Sequence, residues 1–470
     1  MAAVSLMVGQ CGVGLGAHVL EAIHNDGRRE RKHAGGGAAA DADAFFRGDV
    51  ARGVLVDTEP KAVAEAVEVG RGRWKYGDNA KVVSEGGASN SWGRGFHAMA
   101  GDGGAGGGLL GPAMDAVRRQ VEACDSVHAL LLMQSAAGGT GAGLGARAAE
   151  ALRDDFPRSC LTSVCVWPAG EGEVSVQAYN ACLSLSHVAD AADAVVVVQN
   201  DALSHLCRAA YQIPSPTMSD LNQAASRALA PAFLPAALLE PPAPGSGEPS
   251  PFPAAGIARP LVWVDEAATH PWYKLLQVRS HPHLSGASAS FERFSFDASA
   301  RALMRMHANA AFSDVTLQWG AEGVAAPAAV HMHMTLRGAG CDAVDAHRAA
   351  WRALGGQAGF ARAAGLRGAT CGGPLAAAGW PAVSLACGGA SRAPPGLAAS
   401  SSGDAGAAVL LSNASDVAVP LLREVSRGRR LLHAGAFAHR YAADGVSHAE
   451  LAASLDVVSD LAERYVRLAA

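Results

Sequence analysis

This sequence is short of basic charge, long apolar runs and paired cysteines, and each shortage narrows what the chain can do. Lysine and arginine number 38 against 43 aspartates and glutamates, for a formal net charge of −5. That balance lacks the electrostatic footprint of a nucleic-acid-binding protein. The one basic stretch, Arg28, Arg29, Arg31 and Lys32, is interrupted by Glu30 and reads as a solvated loop. The longest apolar stretches, such as that around Val195–Val198, are far too short to span a bilayer, so no membrane contact is expected. The N-terminus opens on a short apolar run with no basic region and no cleavage pattern, and nothing there reads as a signal peptide. The 9 cysteines are odd in number and scattered, and the closest pair, Cys160 and Cys165, has no zinc-site spacing. A reduced, cytosolic compartment is the simplest reading.

What is present supports a folded α/β chain. Half of the 470 residues are hydrophobic and 17% are charged, enough for one large core or two to three domains. Short buried-type runs at Val4–Val8, Gly53–Val56, His128–Met133, Ser163–Trp167 and Ala194–Val198 alternate with helical stretches. Runs of this kind predict a parallel sheet covered on both faces, with ligands at the carboxyl ends of its strands. Two glycine turns fall at such ends. Residues 231–260, with Pro241, Pro242, Pro244, Pro249, Pro251 and Pro253, read as a loop or insertion, and Ala398–Gly406 as an exposed linker. Beyond it a strand is expected at Ala407–Leu411. Helical periodicity follows at Val417–Val425 and Ala449–Leu468, the latter with one apolar face at Leu451, Leu455, Val458 and Leu461.

The strongest local signal is Ala137-Gly138-Gly139-Thr140-Gly141-Ala142-Gly143, which follows a strand and opens a helix. Glycines there let the backbone approach phosphate oxygens and adopt positive φ. Amides at the helix start then face the anion, and Thr140 adds a hydroxyl. The sequence has no G-x-x-x-x-G-K-[ST], so this is not an ordinary P-loop. Gly12-Val13-Gly14-Leu15-Gly16-Ala17 satisfies a dinucleotide fingerprint and leaves an NAD-dependent Rossmann oxidoreductase as an alternative. That reading lacks the acidic residue expected near Lys32–Ala38, and it leaves the second glycine loop unexplained. His331 and His333 alternate on one strand face as metal ligands can, but no third ligand is visible nearby.

The glycine heptapeptide matches the signature of the tubulin superfamily, and the resemblance runs in order over nearly the whole chain. Gly9-Gln10-Cys11-Gly12 resembles the first nucleotide loop, Val54–Pro60 the second and Gly87–Trp92 the third. Tyr179-Asn180, Gln199–Leu203, Pro216–Asn222, Leu411-Ser412-Asn413 and Phe437-Ala438-His439-Arg440-Tyr441 resemble later blocks. Trp167–Val174, Leu183–His187 with Asp190 and Asp193, and His270-Pro271 leading to Lys274 resemble the delta class, as does the lack of an acidic tail after Leu468.

The resemblance implies a tubulin-like α/β fold. A parallel-sheet GTP-binding domain would occupy residues 1–199. A central helix near 218–236 and an α+β intermediate domain would follow within 200–413, then a C-terminal helical region in 414–470. It implies GTP or GDP with Mg2+ as ligands. Around the nucleotide it places Gln10, Cys11, Gly12, Glu59, Ala88, Asn90, Ser135, Ala137, Gly138, Gly139, Thr140, Gly141, Ala142, Gly143, Asn200, Met218 and Asn222. Glu59, with Asp57 nearby, would hold or orient the hydrated cation, and Asn90 would reach the terminal phosphate. Asn200 and Asn222 would read the guanine edge.

This sequence departs from the family pattern at four places. Gly14 replaces a glutamine near the base, Met218 an aromatic ring, and Gln177 an acid near the ribose. Near Arg259–Thr269, Val262 falls where polymerising relatives carry the carboxylate that completes hydrolysis across a longitudinal contact, with Asp265 and Glu266 one turn away. The implied partners are other tubulins and microtubules of centrioles and basal bodies, with a structural role in triplet microtubules and cilia. A polymerising GTPase is the alternative, and slow or partner-dependent hydrolysis is the expectation.

Overall fold

The computed structural model describes residues 1–33, 41–84, 86–101, 108–170, 174–239, 258–268, 270–283, 294–313, 327–338, 340–341, 343–354, 383–388 and 406–469. The chain forms two compact units. One comprises Met1–Glu21, Phe45–Asp201 and Val417–Val466; the other comprises Ala22–Ala44, Ala202–Asp416 and Arg467–Ala470.

The first unit is built on strands β1 (Ala2–Val8), β4 (Gly53–Asp57), β6 (Lys81–Val83), β7 (Val127–Ser135), β8 (Cys160–Trp167) and β9 (Ala194–Gln199). They lie in the order β6-β4-β1-β7-β8-β9, and every pairing is parallel. A side sheet joins β2 (Phe46–Arg47), β3 (Val50–Ala51) and β5 (Lys75–Tyr76), where Trp74 meets Phe46 and Tyr76 edge-on. β1 and β4 are buried at every residue, which is why the sequence shows apolar runs and not alternation. The helix Gln177–Ala191 packs against the helices Gly145–Asp155 and Ala418–His433. The Trp167 indole anchors this packing by donating to the Pro420 carbonyl at 3.3 Å. Because the strands run parallel, Val8, Asp57, Ser135, Trp167 and Gln199 all finish at one edge of the sheet.

The second unit carries β10 (Ala237–Leu239), β11 (Leu275–His281), β12 (Ala329–Gly338), β13 (Val383–Gly388) and β14 (Gly406–Ala414), in the order β10-β13-β12-β14-β11. Only β12 and β13 pair in parallel. Alternation along β12 sends Met332, Met334 and Leu336 into a core with Leu303, Met304 and Trp351. The opposite face carries His331, His333, Thr335 and Arg337. Both imidazoles bond the Ser384 hydroxyl, at 2.8 and 2.7 Å, and His333 also meets the Thr335 hydroxyl at 3.1 Å. Among the described residues, no cluster of three or more His, Cys, Asp or Glu could hold a metal ion.

The central helix runs Met218–Phe233, with Thr217 and Asp220 forming a reciprocal capping box. It stops where the chain turns extended at Leu234 before Pro235. Arg337 satisfies the end, donating to the carbonyls of Pro231 (2.6 Å), Leu234 (2.6 Å) and Pro235 (2.8 Å), while pairing with Asp41 at 3.0 Å. The expected loop 231–260 is therefore wrong at its start: residues 231–233 close the helix and 237–239 form β10. Residues 240–257 lie outside the described set, as does most of the expected linker at 398–406. The basic stretch 28–32 belongs to the helix Gly9–His33 and is not a loop. Its polar composition hides a helix whose apolar residues are concentrated in its first half.

Two buried imidazoles make the second unit acid-sensitive. Burial holds His307 down to about 4, with the Arg279 charge adding to the effect, and holds His333 down to about 3, with His331 adding. Both sit below the unfolded value, so the unfolded chain binds more protons below about pH 6.5. Their contribution is complete above that pH and is lost as pH falls, by about 2 kcal/mol each at pH 5. Thermal unfolding followed from pH 7.5 to 4.5 is expected to weaken steeply below about pH 6.5. A flat profile would contradict these burials.

Candidate functional site

The glycine loop leaves β7 at Ser135, passes through a wide π-type turn at Thr140–Leu144 and continues as the helix Gly145–Asp155. None of Gly138, Gly139, Gly141 and Gly143 has a positive φ. The expectation of left-handed backbone is thus corrected: Gly139 and Gly143 are needed for closeness. A methyl on Gly143 would lie 2.1 Å from the Trp92 carbonyl oxygen, and one on Gly139 would lie 2.8 Å from the Ala88 methyl. A methyl on Gly138, by contrast, would meet nothing within 4 Å. The first amides of the turn have no intrahelical acceptor, so this end of the helix suits an anion. Gly141, Ala142 and Gly143 are buried, and Thr140 is half-buried.

Three further segments converge on this loop. Gly9, at φ +73, ends β1, and a methyl there would lie 2.7 Å from the Gly141 amide. That places Gln10, exposed, and Cys11, half-buried, beside the glycine turn. Burial pushes the Cys11 thiol up to about 11, opposed by its hydrogen bond with Ser135, so it remains a neutral thiol near pH 7. The Thr58 hydroxyl lies 3.1 Å from that of Thr140. Ala88, Ser89 and Asn90 form the third approach. Ser89 and Asn90 both adopt left-handed backbone, at φ 50 and 57, which is costly for serine.

The residue that ties these segments together is Asn180, which was not among the expected site residues. It is fully buried, and its Nδ2 donates to the carbonyls of Asn90 (2.9 Å) and Ala137 (2.8 Å). Its Oδ1 accepts from the Trp92 amide at 3.2 Å and from the Tyr441 hydroxyl. The Tyr179-Asn180 block was visible in the sequence, but partners 90 and 261 residues away were not.

The fingerprint glycines Gly12, Gly14 and Gly16 lie inside the helix Gly9–His33 and make no phosphate turn. Gly12 and Gly16 instead make room for the Met133 carbonyl and the Met7 side chain. Gln177 is buried and donates to the Ala169 carbonyl at 2.9 Å. Asn200 starts a helix directly after β9, at the shared strand-end edge, and is half-buried. In the second unit, Met218 is 66% exposed at the first turn of its helix, and Asn222 is half-buried. Val262 is buried against Ala236 and Ala386. Asp265 is exposed and pairs with Arg259 at 2.5 Å. Burial raises the Glu266 carboxyl, and the Asp265 charge adds to that rise.

A hard cation fits the second approach. Asp57 is 2% exposed; its Oδ1 accepts the Thr58 amide at 2.7 Å, while its buried Oδ2 has no hydrogen-bond partner. Burial pushes this carboxyl up to about 6, against the pull of the Thr58 amide. A buried carboxylate oxygen with no hydrogen-bond partner, on the residue preceding Thr58, is a hard oxygen donor of the kind a hydrated Mg2+ takes. Glu59, exposed at the start of the next helix, would hold its outer waters. A raised carboxylate pKa costs stability above it, because the folded chain then loses a proton it had favoured. Asp57→Asn is therefore expected to stabilise the ligand-free protein at pH 7 by roughly 1–2 kcal/mol and to abolish the gain in GTP affinity from Mg2+. Unchanged Mg2+ dependence would remove Asp57 from the cation site.

Comparison with known proteins agrees with this geometry. The GTPase domain of the Tubulin/FtsZ family matches residues 2–208. The chain is 31% identical over 338 residues to the tubulin delta chain of Macaca fascicularis, covering 68% of this chain and 70% of that one. It is 30% identical over 341 residues to the tubulin delta chain of Mus musculus, covering 68% and 69%. The tubulin beta-1 chain of Colletotrichum graminicola is 30% identical over a shorter 248 residues, 48% of this chain and 52% of that one. The chain thus carries a guanine-nucleotide-binding GTPase domain with its glycine loop at the expected strand end, and it belongs to the tubulin family, most similar to delta chains among these relatives.

Proposed function

We propose that this protein is a delta-type structural tubulin. In this reading it holds GTP or GDP with Mg2+ and acts beside other tubulins in forming or stabilising the triplet microtubules of centrioles and basal bodies, and so cilia. The observation that carries the binding reading is the convergence of the Gly9–Cys11, Thr58 and Ala88–Asn90 segments on Gly139–Gly141. The phosphates lie on that loop beside Gln10, Cys11 and Ser135, the cation against Asp57 and Glu59, and Asn90 at the terminal phosphate. By the family pattern Asn200, Asn222 and Met218 take the base. The likeness to delta chains of Macaca fascicularis and Mus musculus supports the delta reading and, through it, the centriolar role.

Hydrolysis is expected to be slow in the isolated chain. A buried Val262 offers no carboxylate, and Asp265 is already paired to Arg259. Positioning of the attacking water then depends on a carboxylate supplied by a partner subunit. Multiple-turnover release of phosphate by the purified chain, lost in Asp265→Ala/Glu266→Ala, would show that these acids serve after all. The cellular role is tested by locating a tagged chain in ciliated cells and examining basal-body cross-sections after its loss. Missing or incomplete triplets are expected; intact triplets would reject the assignment.

A further inference from the structure

The segment 437–446 is far from the nucleotide loops in sequence, yet it grips the third of them. Tyr441, 1% exposed, donates to Asn180 Oδ1, and Asn180 in turn holds the Asn90 and Ala137 carbonyls and the Trp92 amide. Ser91 donates to Asp444 Oδ2 at 2.5 Å. The backbones are in contact too: a methyl on Gly93 would lie 2.9 Å from the Asp444 carbonyl oxygen and 2.7 Å from the Val446 side chain. Both sides of this junction hold unfavourable backbone. Phe437, which opens the short helix Ala438–Ala443, sits at φ 62, and Ser89 and Asn90 sit at φ 50 and 57. Left-handed backbone at a bulky aromatic and at a serine persists only where surrounding bonds over-determine it. Here the two segments are joined directly by the Ser91–Asp444 bond and, through Asn180, by Tyr441. The outer side of the same segment, including His439, Arg440 and Gly445, is exposed.

We infer that Tyr441 and Asp444 are positioning residues for the nucleotide site: they hold the Ala88–Trp92 loop in its strained form and so set how strongly the chain distinguishes GTP from GDP. The inference rests on the reading above that Asn90 lies at the terminal phosphate. GDP lacks the group that Asn90 would meet, so loss of the grip falls on GTP alone. The coupling is reciprocal, so GTP must also tighten 437–446.

Tyr441→Phe removes one hydroxyl and keeps the edge contact with Tyr179. Asp444→Ala removes the acceptor for Ser91, and Asp444→Asn restores one. Titration of GTP and GDP against the purified full chain with Mg2+ should show GTP affinity reduced at least fivefold in Tyr441→Phe and Asp444→Ala, with GDP affinity within twofold of the parent. Asp444→Asn should recover most of the loss. Amide exchange in 437–446 of the unaltered chain should be slower with GTP than with GDP. GTP and GDP affinities both unchanged, or both reduced equally, would overturn the proposal, as would exchange in 437–446 that ignores the nucleotide. A parent chain that binds neither nucleotide would remove the underlying reading and this proposal with it.

Discussion

Replacing Asn180 with alanine is expected to lower the stability of the first unit by about 3–5 kcal/mol and GTP affinity by tenfold or more. The side chain is 0% exposed and makes four hydrogen bonds, so truncation leaves two carbonyls, an amide and a phenol without their partner and without water. Three of the four partners belong to loops proposed to surround the phosphates. Asn180→Asp separates shape from chemistry. It keeps an acceptor for Trp92 and Tyr441 but turns a carboxylate oxygen toward the Asn90 and Ala137 carbonyls, and it is expected to be no better than alanine. Denaturant unfolding of the ligand-free variants, with nucleotide titration of whatever folds, measures both effects. A loss under 1 kcal/mol with normal GTP binding would mean that Asn180 is a bystander.

The second large effect comes from two glycines in the same loop that should behave in opposite ways. Gly143→Ala puts a methyl 2.1 Å from the Trp92 carbonyl oxygen and 2.7 Å from the Phe96 amide. Both are backbone atoms that cannot swing aside, and the variant is expected to lose more than about 3 kcal/mol or to fail to fold. Gly138→Ala meets nothing within 4 Å and needs no left-handed backbone, so melting should move by less than about 0.5 kcal/mol. Yet its methyl would stand on the loop proposed to hold the phosphates, and GTP affinity is expected to drop at least tenfold. A Gly138→Ala protein that binds GTP normally would move the phosphates off this loop.

The parts of this fold that were legible in the sequence are those set by local burial. Ala194–Gln199 is a run of valines because both sheet faces are covered, and the run could be read without any partner in view. The glycine heptapeptide was legible for the same reason, through its position after a strand. Its physical reason was not: the glycines serve contacts with Ala88, Trp92 and Gly9, which no local rule foretells. Asn180, Tyr441 and Asp444 were unreadable as site residues because their bonds close loops of up to 353 residues. The helix end at Phe233 was misread as loop because Pro231 sits inside the helix, and the carbonyls that follow are satisfied by Arg337, about a hundred residues on. The basic run 28–32 was misread because it continues a helix without an apolar stripe of its own.

The central claim is that the edge formed by Gly9–Cys11, Thr58 and Gly138–Gly141 takes a guanine nucleotide. Equilibrium dialysis of the purified chain with GTP, GDP, ATP and NAD, in the presence of Mg2+, tests it most directly. Saturable, mutually competitive binding of GTP and GDP is expected, weakened by Thr140→Ala, with ATP and NAD failing to displace them. Binding of NAD in preference to GTP, or GTP binding indifferent to Thr140→Ala, would contradict it.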